Sequence, residues 1–446
     1  MKNVREVALE LLLRVEKSGS YSHLLINQVI EQGKVHEKDA ALLTEIVYGT
    51  IERKITLDFY IQPFVSKQKK LQDWVRVLLR MSIFQLVYLD QVPSYAVINE
   101  AVEIAKKRGH KGISSVVNGV LRSFQRQGPP KLDSIQNQME RLAIETSHPT
   151  WLVSYWIKTY GYERTKEMCM KNNVKKPMYI RVNQLKTNRE IVMEKLENHG
   201  IEATPCPFVP DALKIVYGNV LKTDLLKDGY ITVQDYSSMF ASYCLDVAEG
   251  MTVLDTCSAP GGKVTYIGEM MHQIGNIYAY DLHKNKMKLI QNNAIRLGID
   301  NITVAAKDAR TLREEHENET FDRIIVDAPC TGLGVLRSKA DIKYHKEEKD
   351  MEALQKVQIA ILKEIAPLLK ANGKLLYSTC TINTIENEAV IQAFLTEHTN
   401  FEIDKSFINM CKEMIGDAAQ ITEEGIQLFP QTLNADGFFI TRLVKK

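Results

Sequence analysis

The chain has 446 residues, of which 45% are apolar and 25% are charged. This length predicts more than one hydrophobic core, and this composition excludes an intrinsically disordered protein. The net charge of +2 is uneven: residues 1–128 hold 19 Lys and Arg against 13 Asp and Glu, whereas the remainder holds 38 against 42. No window of 18 apolar residues without charge occurs, so no membrane-spanning helix is predicted.

The seven cysteines are scattered, at positions 169, 206, 244, 257, 330, 380 and 411. None forms a Cys-x-x-Cys pair, and none lies near His at the spacing of metal ligands. The pattern therefore predicts no zinc site, no redox dithiol and no other metal site. Scattered cysteines, and a charged N-terminal helix in place of an export signal, lead us to expect a reducing cytoplasm.

Residues 1–128 carry apolar residues at helical spacing, with no competing strand pattern. Residues 1–20 predict an amphipathic helix. Residues 74–89 are apolar almost all round, which indicates a central buried helix. Pro93 can start another helix, and Gly109 and Gly112 mark the end of that pattern. The region is predicted to be an all-α domain of six or seven helices.

Residues 129–230 are predicted to form linker helices and a small α+β subdomain. The sequence RQGPPKLDS at 126–134 interrupts the helical pattern, and residues 135–170 return to it. Strand-like residues 177–186 and 212–218 then flank a helix at 188–200. Short β-α-β elements of this kind are typical of an α+β subdomain.

Residues 231–446 alternate between strand-like and helical pieces. The predicted strands are 251–257, 276–282, 301–308, 321–329, 373–380 and 437–446, with helices such as 283–298 and 350–371 between them. This alternation indicates an α/β domain with a parallel sheet and helices on both faces.

The first strand of this domain runs into a glycine-bearing turn, LDTCSAPGGK at 254–263, followed by a helix. Glycines let the backbone approach a ligand closely, and a helix N-terminus favours a negative group. A Walker A loop would need Gly at Cys257 and Ser or Thr at Val264, and a Gly-x-Gly-x-x-Gly signature is absent. A purely structural turn remains an alternative.

Three carboxylates follow at consecutive strand ends: Asp281, Asp308 and Asp327. Asp281 lies 19 residues after Gly262, a spacing that suits hydrogen bonding to ribose hydroxyls. A single Asp at such a position is more often a helix cap. Three of them in register with a glycine turn favour a nucleotide-like ligand at the carboxyl edge of the sheet.

Two thiols are predicted at the same edge. Cys330 follows the fourth strand in DAPCTG, and Cys380 ends the fifth in YSTCT. Free cysteine is usually buried and inert, which is our expectation for the thiols at 169, 206, 244 and 411. A thiolate beside a nucleoside cofactor suggests covalent catalysis. One reaction that requires it is methylation of cytosine C5, which becomes nucleophilic only after a thiolate adds to C6.

Several segments together resemble the RNA 5-methylcytosine methyltransferases, which use S-adenosylmethionine. They are DTCSAPGGK, YAYDL, KDAR, DAPCTGLGVLRSKADIKY, LLYSTCTINTIENEAVI, RVNQLKT and VQDYSSMFAS. The N-terminal helical region resembles the NusB-like RNA-binding domain. The resemblance implies a NusB-like domain at 1–128, an RNA-binding subdomain within 129–230 and a Rossmann-like methyltransferase domain at 231–446. It further implies methylation of C5 of a cytidine in small-subunit (16S) ribosomal RNA.

The resemblance also implies roles for individual residues. Cys380 is expected to be the nucleophile, Cys330 to resolve the covalent adduct, and Asp327 to position the cytosine. Lys263, beside the reacting groups, is expected to favour the thiolate of Cys380. The expected cofactor-binding residues are Cys257, Ser258, Ala259, Pro260, Gly261, Gly262, Lys263, Asp281 at the ribose, Asp308 at the adenine end, and Asp327. Ser258 and Val264 depart from the residues found in many members, Ala and Thr.

Ribosomal RNA is the expected partner, and the protein is expected to be a monomer. Candidate RNA contacts are the basic surplus of residues 1–128 and the residues Lys171, Lys175, Lys176, Arg181, Lys186 and Arg189. An ordinary solvated surface is the alternative for each of them. Three other functions are weighed: the same chemistry on transfer RNA, a non-catalytic RNA-binding assembly factor, and an oxidoreductase. The last is disfavoured because its glycine signature is absent.

Overall fold

The structure is a computed structural model, and it describes residues 3–18, 22–65 and 71–446. The ends of the predicted helix at 1–20, and Lys67, Lys69 and Lys70 of the basic surplus, lie outside the described residues. The chain divides into two compact units. Unit 1 comprises residues 1–174 and 336–346, and unit 2 comprises residues 175–335 and 347–446.

Unit 1 is helical. Its first ten α-helices are α1 (Val4–Ser18), α2 (Ser22–Glu31), α3 (Ala40–Glu52), α4 (Lys54–Ile61), α5 (Asp73–Tyr88), α6 (Ser94–Arg108), α7 (Lys111–Gln127), α8 (Gln138–Thr146), α9 (Thr150–Tyr160) and α10 (Tyr162–Asn172). Helix α5 is buried on several sides, through Val77, Leu78 and Leu79 among others, as its apolar sequence predicts. Gly109 caps α6, whereas Gly112 lies inside α7.

Unit 2 begins with two sheets in succession. Its elements up to Val335 are β1 (Met178–Val182), α11 (Arg189–Asn198), β2 (Glu202–Pro205), β3 (Ala212–Tyr217), α12 (Asp224–Lys227), β4 (Ile231–Val233), α13 (Tyr236–Tyr243), β5 (Thr252–Asp255), α14 (Gly262–Met270), β6 (Asn276–Asp281), α15 (Lys284–Leu297), β7 (Ile302–Ala306) and β8 (Phe321–Asp327). The first four strands form an antiparallel sheet in the order β2-β3-β1-β4. Strand β4 follows residue 230, the predicted end of the subdomain, yet it pairs with β1.

A short segment then belongs to unit 1. Residues 336–346 contain α16 (Ile342–His345), and Ala340 lies in the same hydrophobic cluster as the N-terminal helices. Lys343 is buried and donates to the carbonyl of Glu52 at 3.1 Å, and burial lowers its pKa to about 7. The hydroxyl of Tyr344 lies 3.0 Å from that of Ser147. The sequence does not predict that residues 336–346 belong to unit 1, because they continue a motif that was assigned to the catalytic domain.

The remaining elements complete the larger sheet. They are α17 (Glu348–Ile365), β9 (Leu369–Thr379), α18 (Glu388–Glu397), β10 (Phe401–Ile403), α19 (Lys405–Ile415), β11 (Gln420–Ile421), β12 (Ile426–Leu428) and β13 (Phe438–Lys445). The sheet order is β11-β12-β13-β9-β8-β5-β6-β7, with β10 paired to β13. The strands from β9 to β7 are parallel, whereas β10 to β13 pair antiparallel. The expectation of a parallel sheet is therefore corrected to a parallel centre with an antiparallel side.

Both faces of the larger sheet are covered. Successive residues of β8 alternate between two hydrophobic clusters: Ile324 and Val326 lie in one, and Ile325 lies in the other. This burial explains why the central strands are almost continuously apolar in sequence. The missed strands β2, β4, β10, β11 and β12 have two to four residues each, too few to show a period. Among the described residues, no helix is both long and apolar enough to cross a membrane.

Candidate active site

The predicted site residues lie along the carboxyl edge of the parallel strands. Asp255, Asp281 and Asp327 end β5, β6 and β8, and Cys380 follows the last residue of β9. From β5 the chain builds outward through β6 and β7, and then returns to the other side of β5 to form β8 and β9. This reversal beside β5 is where open α/β sheets bind their ligands.

The glycine turn between β5 and α14 is held by backbone hydrogen bonds. The N–H of Ser258 donates to the carbonyl of Tyr280 at 2.8 Å, and that of Gly261 donates to the carbonyl of Ser258 at 2.7 Å. Gly261 has φ of 105°, and a Cβ there would lie 3.2 Å from the Cα of Ile290. Only glycine fits without strain at this position, which brings bare backbone to the N-terminus of α14.

Asp281 is a well-held carboxylate, only 7% exposed. One oxygen accepts from the backbone N–H of Ala259 at 3.3 Å and the other from that of His283 at 3.0 Å. Lys286 lies 3.5 Å away. An ionised carboxylate has about four acceptor positions, so Asp281 keeps acceptor capacity for the hydroxyls of a ligand.

Asp308 is more exposed and has a local role. It caps the short 3₁₀ helix Ala309–Glu314, accepting from the backbone N–H of Arg310 at 2.9 Å. The guanidinium of Arg310 donates to it at 2.6 Å, and this hydrogen bond lowers the pKa of Asp308. The capping role that the sequence left open for a single strand-end Asp is therefore present here.

Asp255 is a carboxylate that sequence reasoning missed. It is fully buried at the end of β5. One oxygen accepts from the N–H of Cys257 at 3.3 Å, and the other has no hydrogen-bond partner in the part of the chain that the structure describes. Burial, helped by the charge of Asp327, raises the pKa of Asp255 to about 7. The available signal was its position as the second residue of the motif LDTCSAPGGK.

Lys263 and Asp327 form a close ion pair at the centre of the edge. The ammonium lies 2.6 Å from one Asp327 oxygen, and the Ser378 hydroxyl donates to the other at 3.0 Å. Burial alone would lower the pKa of Lys263. Asp327 and, more weakly, Cys380 raise it above its ordinary value. Lys263 is therefore a cation held mainly by the carboxylate of Asp327.

The two predicted thiols meet. The Sγ atoms of Cys330 and Cys380 are 3.4 Å apart, although the residues are 50 positions apart in the chain. The hydrogen bond with Cys380, together with burial, raises the pKa of Cys330 well above its ordinary value. Burial also raises the pKa of Cys257, the third thiol on this edge. At neutral pH the last two thiols therefore carry their protons.

A buried polar network behind the thiols was also missed. Thr331 and Thr381 each follow a cysteine of the pair, and their hydroxyl oxygens lie 2.8 Å apart. Both carboxylate oxygens of Glu386 accept hydrogen bonds from Thr331. The available signal was the repeated Cys-Thr in the two motifs, with a glutamate six residues after the second cysteine.

Three of the candidate RNA contacts are engaged within the fold. Arg181 is 0% exposed and donates to both carboxylate oxygens of Glu269. The prediction that Arg181 contacts RNA is therefore wrong, because its strand places the side chain inward. The Lys176 ammonium lies 2.9 Å from Asp235. Lys186 donates to two backbone carbonyls at 2.8 Å.

The edge suits a nucleoside with a charged amino-acid tail. The bare Gly261 backbone, the helix N-terminus and the spare acceptors of Asp281 provide for the amino-acid part and for ribose hydroxyls. S-adenosylmethionine, the cofactor that the sequence resemblance implies, has these groups. Within the described ranges, no cluster of three or more His, Cys, Asp or Glu could hold a metal ion.

Comparison with known proteins agrees with this geometry. Residues 242–444 match the sequence model of the 16S rRNA methyltransferase RsmB/F family. Residues 2–126 match the NusB family, and residues 148–219 match the ferredoxin-like domain of RsmF/B-like methyltransferases. The probable ribosomal RNA small subunit methyltransferase B of Bacillus subtilis is 45% identical over 444 residues, covering 100% of this chain and 99% of the relative. This chain belongs to the RsmB/F methyltransferase family.

Other matches cover either nearly all of this chain or about two thirds of it. The ribosomal RNA small subunit methyltransferase B of Photorhabdus laumondii is 34% identical, covering 94% of this chain and 97% of its own. The crystal structure of PH0851 superposes with a TM-score of 0.82 at 28% identity, covering 99% of this chain and 98% of that one. The structure of NSun6 from Pyrococcus horikoshii with SFG has a TM-score of 0.60 at 22% identity. The match covers 67% of this chain and 98% of that one, and it shows a shared fold.

Membership of the family confirms several predictions. The protein is a 16S rRNA methyltransferase that uses S-adenosylmethionine. The predicted fold class is confirmed: a NusB-type helical domain, a ferredoxin-like subdomain and an α/β methyltransferase domain with parallel strands. The similarity to ribosomal RNA small subunit methyltransferase B agrees with the small-subunit ribosomal RNA that the resemblance implies as substrate.

Proposed function

We propose that the protein methylates C5 of a cytidine in 16S ribosomal RNA through a covalent bond between Cys380 and C6 of the base. The observation that carries the proposal is the contact between Cys330 and Cys380, at 3.4 Å, on the ligand-binding edge of the sheet. S-adenosylmethionine, when bound, supplies an electrophilic methyl group. The remaining chemistry is to make C5 a nucleophile, and that is what a thiolate adding to C6 achieves.

Cys380 is the better candidate for the attack. Of the thiols on this edge, Cys257 and Cys330 have raised pKa values and hold their protons. Burial would lower the pKa of Lys263, but Asp327 above all, and Cys380 more weakly, raise it, so the lysine is a cation. This cation would favour a thiolate at Cys380, as the sequence resemblance implies.

Cys330 is suited to help the bond break. A protonated Cys330 donates its S–H to the Cys380 thiolate while the nucleophile is free, and it loses that acceptor when Cys380 bonds to C6. After methyl transfer and loss of the C5 proton to a base, Cys380 leaves as a thiolate again. The restored S–H hydrogen bond stabilises this leaving group, which assists release of the product.

Asp327 is suited to hold the target base. Its two oxygens already accept from Lys263 and Ser378, and each keeps a further lone pair. The exocyclic amino group of cytosine is a donor that can use one of them. The base must leave its stack to reach these groups, which costs a few kcal/mol. The cofactor would then lie along the turn 257–263 with Asp281 at its ribose and Asp308 at the adenine end.

We also propose that the domains divide at residues 128 and 230, that the protein is a monomer and that it acts in the cytoplasm.

The N-terminal helical domain would recruit the RNA through its basic surplus. Measuring the salt dependence of RNA binding by variants with reversed surface charges would test this role, since phosphate contacts give a steep dependence. A salt dependence equal to that of the parent protein would contradict it.

The function is tested by bisulfite sequencing of RNA from cells with and without the gene. We expect one cytidine of 16S ribosomal RNA to lose its 5-methyl group, and loss from transfer RNA alone would contradict the substrate assignment. In the purified enzyme, Cys330→Ser should accumulate a covalent protein–RNA complex on denaturing gels. An adduct with Cys380→Ser instead would exchange the two assignments.

A further inference from the structure

A single buried carboxylate, Glu386, anchors the loop that carries Cys330. One of its oxygens accepts from the backbone N–H of Thr331 at 2.9 Å, and the other accepts from the Thr331 hydroxyl. Asn383 and Gln358 donate to the same carboxylate at 2.6 Å and 3.0 Å. Four donors therefore converge on one carboxylate, and two of them belong to the residue next to Cys330.

The anchoring extends to the residue before the thiol. The side-chain amide of Gln358, which donates to Glu386, also donates to the carbonyl of Pro329 at 2.9 Å. Thr331 is therefore bonded to Glu386 directly, and Pro329 is connected to Glu386 through Gln358. The loop has little freedom to move its thiol while these bonds persist.

The second thiol joins the same network through its own neighbour. The hydroxyl of Thr381 lies 2.8 Å from that of Thr331, and it accepts from the N–H of Leu333 at 3.3 Å. Asn383 donates to the Thr381 hydroxyl as well, at 3.2 Å. The loops that follow β8 and β9 are thus connected through one threonine from each, immediately after each cysteine.

We propose that Glu386 is a positioning residue that holds the thiols of Cys330 and Cys380 in contact. This inference rests on the proposed covalent mechanism. Among the described residues no hydrogen bond joins Glu386 to either thiol, so it acts through Thr331 and Asn383, which both contact the Thr381 hydroxyl. Its negative charge also helps to raise the pKa of Cys330, which keeps that thiol protonated.

The geometry predicts which step suffers when Glu386 is changed. The carboxylate bonds directly to Thr331, the residue next to Cys330, whereas in the loop of Cys380 it bonds to Asn383, three residues from that thiol. Attack by Cys380 should therefore be affected less than product release, which depends on Cys330. A small displacement of a reacting group can cost about 100-fold in rate.

Glu388 is a matched control. It is a buried glutamate two residues further along, and its carboxylate oxygens have no hydrogen-bond partner among the residues described. Burial raises the pKa of Glu388 to about 7. Glu388→Gln therefore tests the effect of removing a buried carboxyl from this segment without touching either cysteine loop.

The experiment compares Glu386→Gln, Thr331→Val and Glu388→Gln in three measurements: turnover, the amount of covalent protein–RNA complex, and KM for S-adenosylmethionine. We expect Glu386→Gln to lower turnover by about 10-fold to 100-fold and to accumulate the complex, with KM nearly unchanged. Thr331→Val should act in the same direction but less strongly, because it keeps the N–H bond to Glu386. Glu388→Gln should match the parent enzyme.

A second measurement needs no RNA. The azo compound diamide accepts two hydrogens from a pair of neighbouring thiols and leaves a disulfide, which peptide mass spectrometry locates. The Cys330–Cys380 disulfide should form at least about 10-fold more slowly in Glu386→Gln than in Glu388→Gln, in proportion to the loss of turnover expected above. If Glu386→Gln does not fold, Thr331→Val must still slow this reaction for the inference to survive.

The outcomes separate the two proposals. If Cys330→Ser gives no adduct while Glu386→Gln still slows disulfide formation, the covalent mechanism fails and the positioning role stands. If Cys330→Ser gives the adduct while Glu386→Gln equals Glu388→Gln in turnover and in disulfide formation, the positioning role is overturned.

Discussion

Two parts of the carboxyl edge are held in different ways. One half, comprising the turn 256–263 with Asp281, is called the cofactor half because we propose that it holds S-adenosylmethionine, and it is fixed by backbone N–H groups. Those of Ser258 and Gly261 donate to the backbone carbonyls of Tyr280 and Ser258. The thiol half, comprising the loops 328–335 and 380–387, is fixed by side chains. There Glu386 joins residues 28 and 55 positions away from it.

This difference predicts how each half responds to substitution. Backbone hydrogen bonds survive most side-chain changes, so a variant in the cofactor half should alter one contact with the ligand and little else. Buried side-chain networks are coupled, and leaving one donor without its acceptor costs about 1–3 kcal/mol. The thiol half should therefore respond as a unit.

The largest effect is expected from Cys380, the proposed nucleophile, which lies in the thiol half. Cys380→Ser should reduce methyl transfer to 16S ribosomal RNA below detection, because a hydroxyl is a far weaker nucleophile than a thiolate. Transfer of labelled methyl groups measures this directly. Cys206→Ala, a buried cysteine outside the edge, is the control and should remain active. Retained activity in Cys380→Ser would remove the basis for the covalent mechanism.

Lys263 links the halves, since it extends from α14 to Asp327 at 2.6 Å. Lys263→Met should lower turnover by about 10-fold to 100-fold, the equivalent of one charged hydrogen bond. It should also move the rise of turnover with pH to more alkaline values, because the Cys380 thiolate loses its neighbouring cation. Lys286→Met is the comparison, since it removes a lysine that lies 3.5 Å from Asp281 rather than beside Asp327. An unaltered pH dependence would refute this role for Lys263.

Asp281→Asn tests the cofactor half by itself. The amide oxygen still accepts one backbone N–H, whereas the acceptor facing the ligand is weakened, so KM for S-adenosylmethionine should rise about 10-fold with little change in kcat. Asp322→Asn is the matched control. Asp322 also accepts a hydrogen bond from a backbone N–H group, that of Thr252 at 2.9 Å. It lies at the start of β8, away from the carboxyl edge where the ligand is expected. Equal effects of the two substitutions would contradict a ligand role for Asp281.

The smallest effect concerns Asp255 and stability. Its pKa of about 7 in the folded protein exceeds the ordinary value of 3.8. The folded state therefore binds the proton of Asp255 more tightly than the unfolded state does. The protonated carboxyl contributes fully to the free energy of unfolding in acid, and this contribution is lost as pH rises from about 4 to about 7. Asp255→Asn should flatten this part of the melting-temperature profile. Identical profiles for parent and variant would show that Asp255 does not titrate in this range.

Asp404 should change the pH dependence of stability in the opposite direction to Asp255. Burial works against its ionisation, but hydrogen bonds from Ser406 and the charge of Arg442 lower the pKa of Asp404. Its stabilisation is present above the ordinary pKa and is lost as pH falls. Asp404→Asn should therefore destabilise the protein at neutral pH and cost less in acid, in contrast to Asp255→Asn.

The sequence was informative where the signal lies in one stretch. The glycine turn and the strand-end residues Asp281 and Asp327 could be placed at one edge, because parallel strands bring their carboxyl ends together. The network around Glu386 could not be predicted, since it depends on which loops meet across 28 to 55 positions. Arg181 was misassigned for a related reason: a basic residue in a strand can point inward to a carboxylate from another element.

The segment 336–346 has a practical consequence. It contributes Ala340, Lys343 and Tyr344 to unit 1, and unit 1 otherwise consists of residues before 175. A protease that cuts the chain after residue 174 would therefore leave both fragments bound to each other, because one retains a piece of the other's interior. Deleting residues 1–128 would likewise expose apolar and buried charged groups of that piece to water. A single cut after residue 174 therefore does not divide the chain into unit 1 and unit 2.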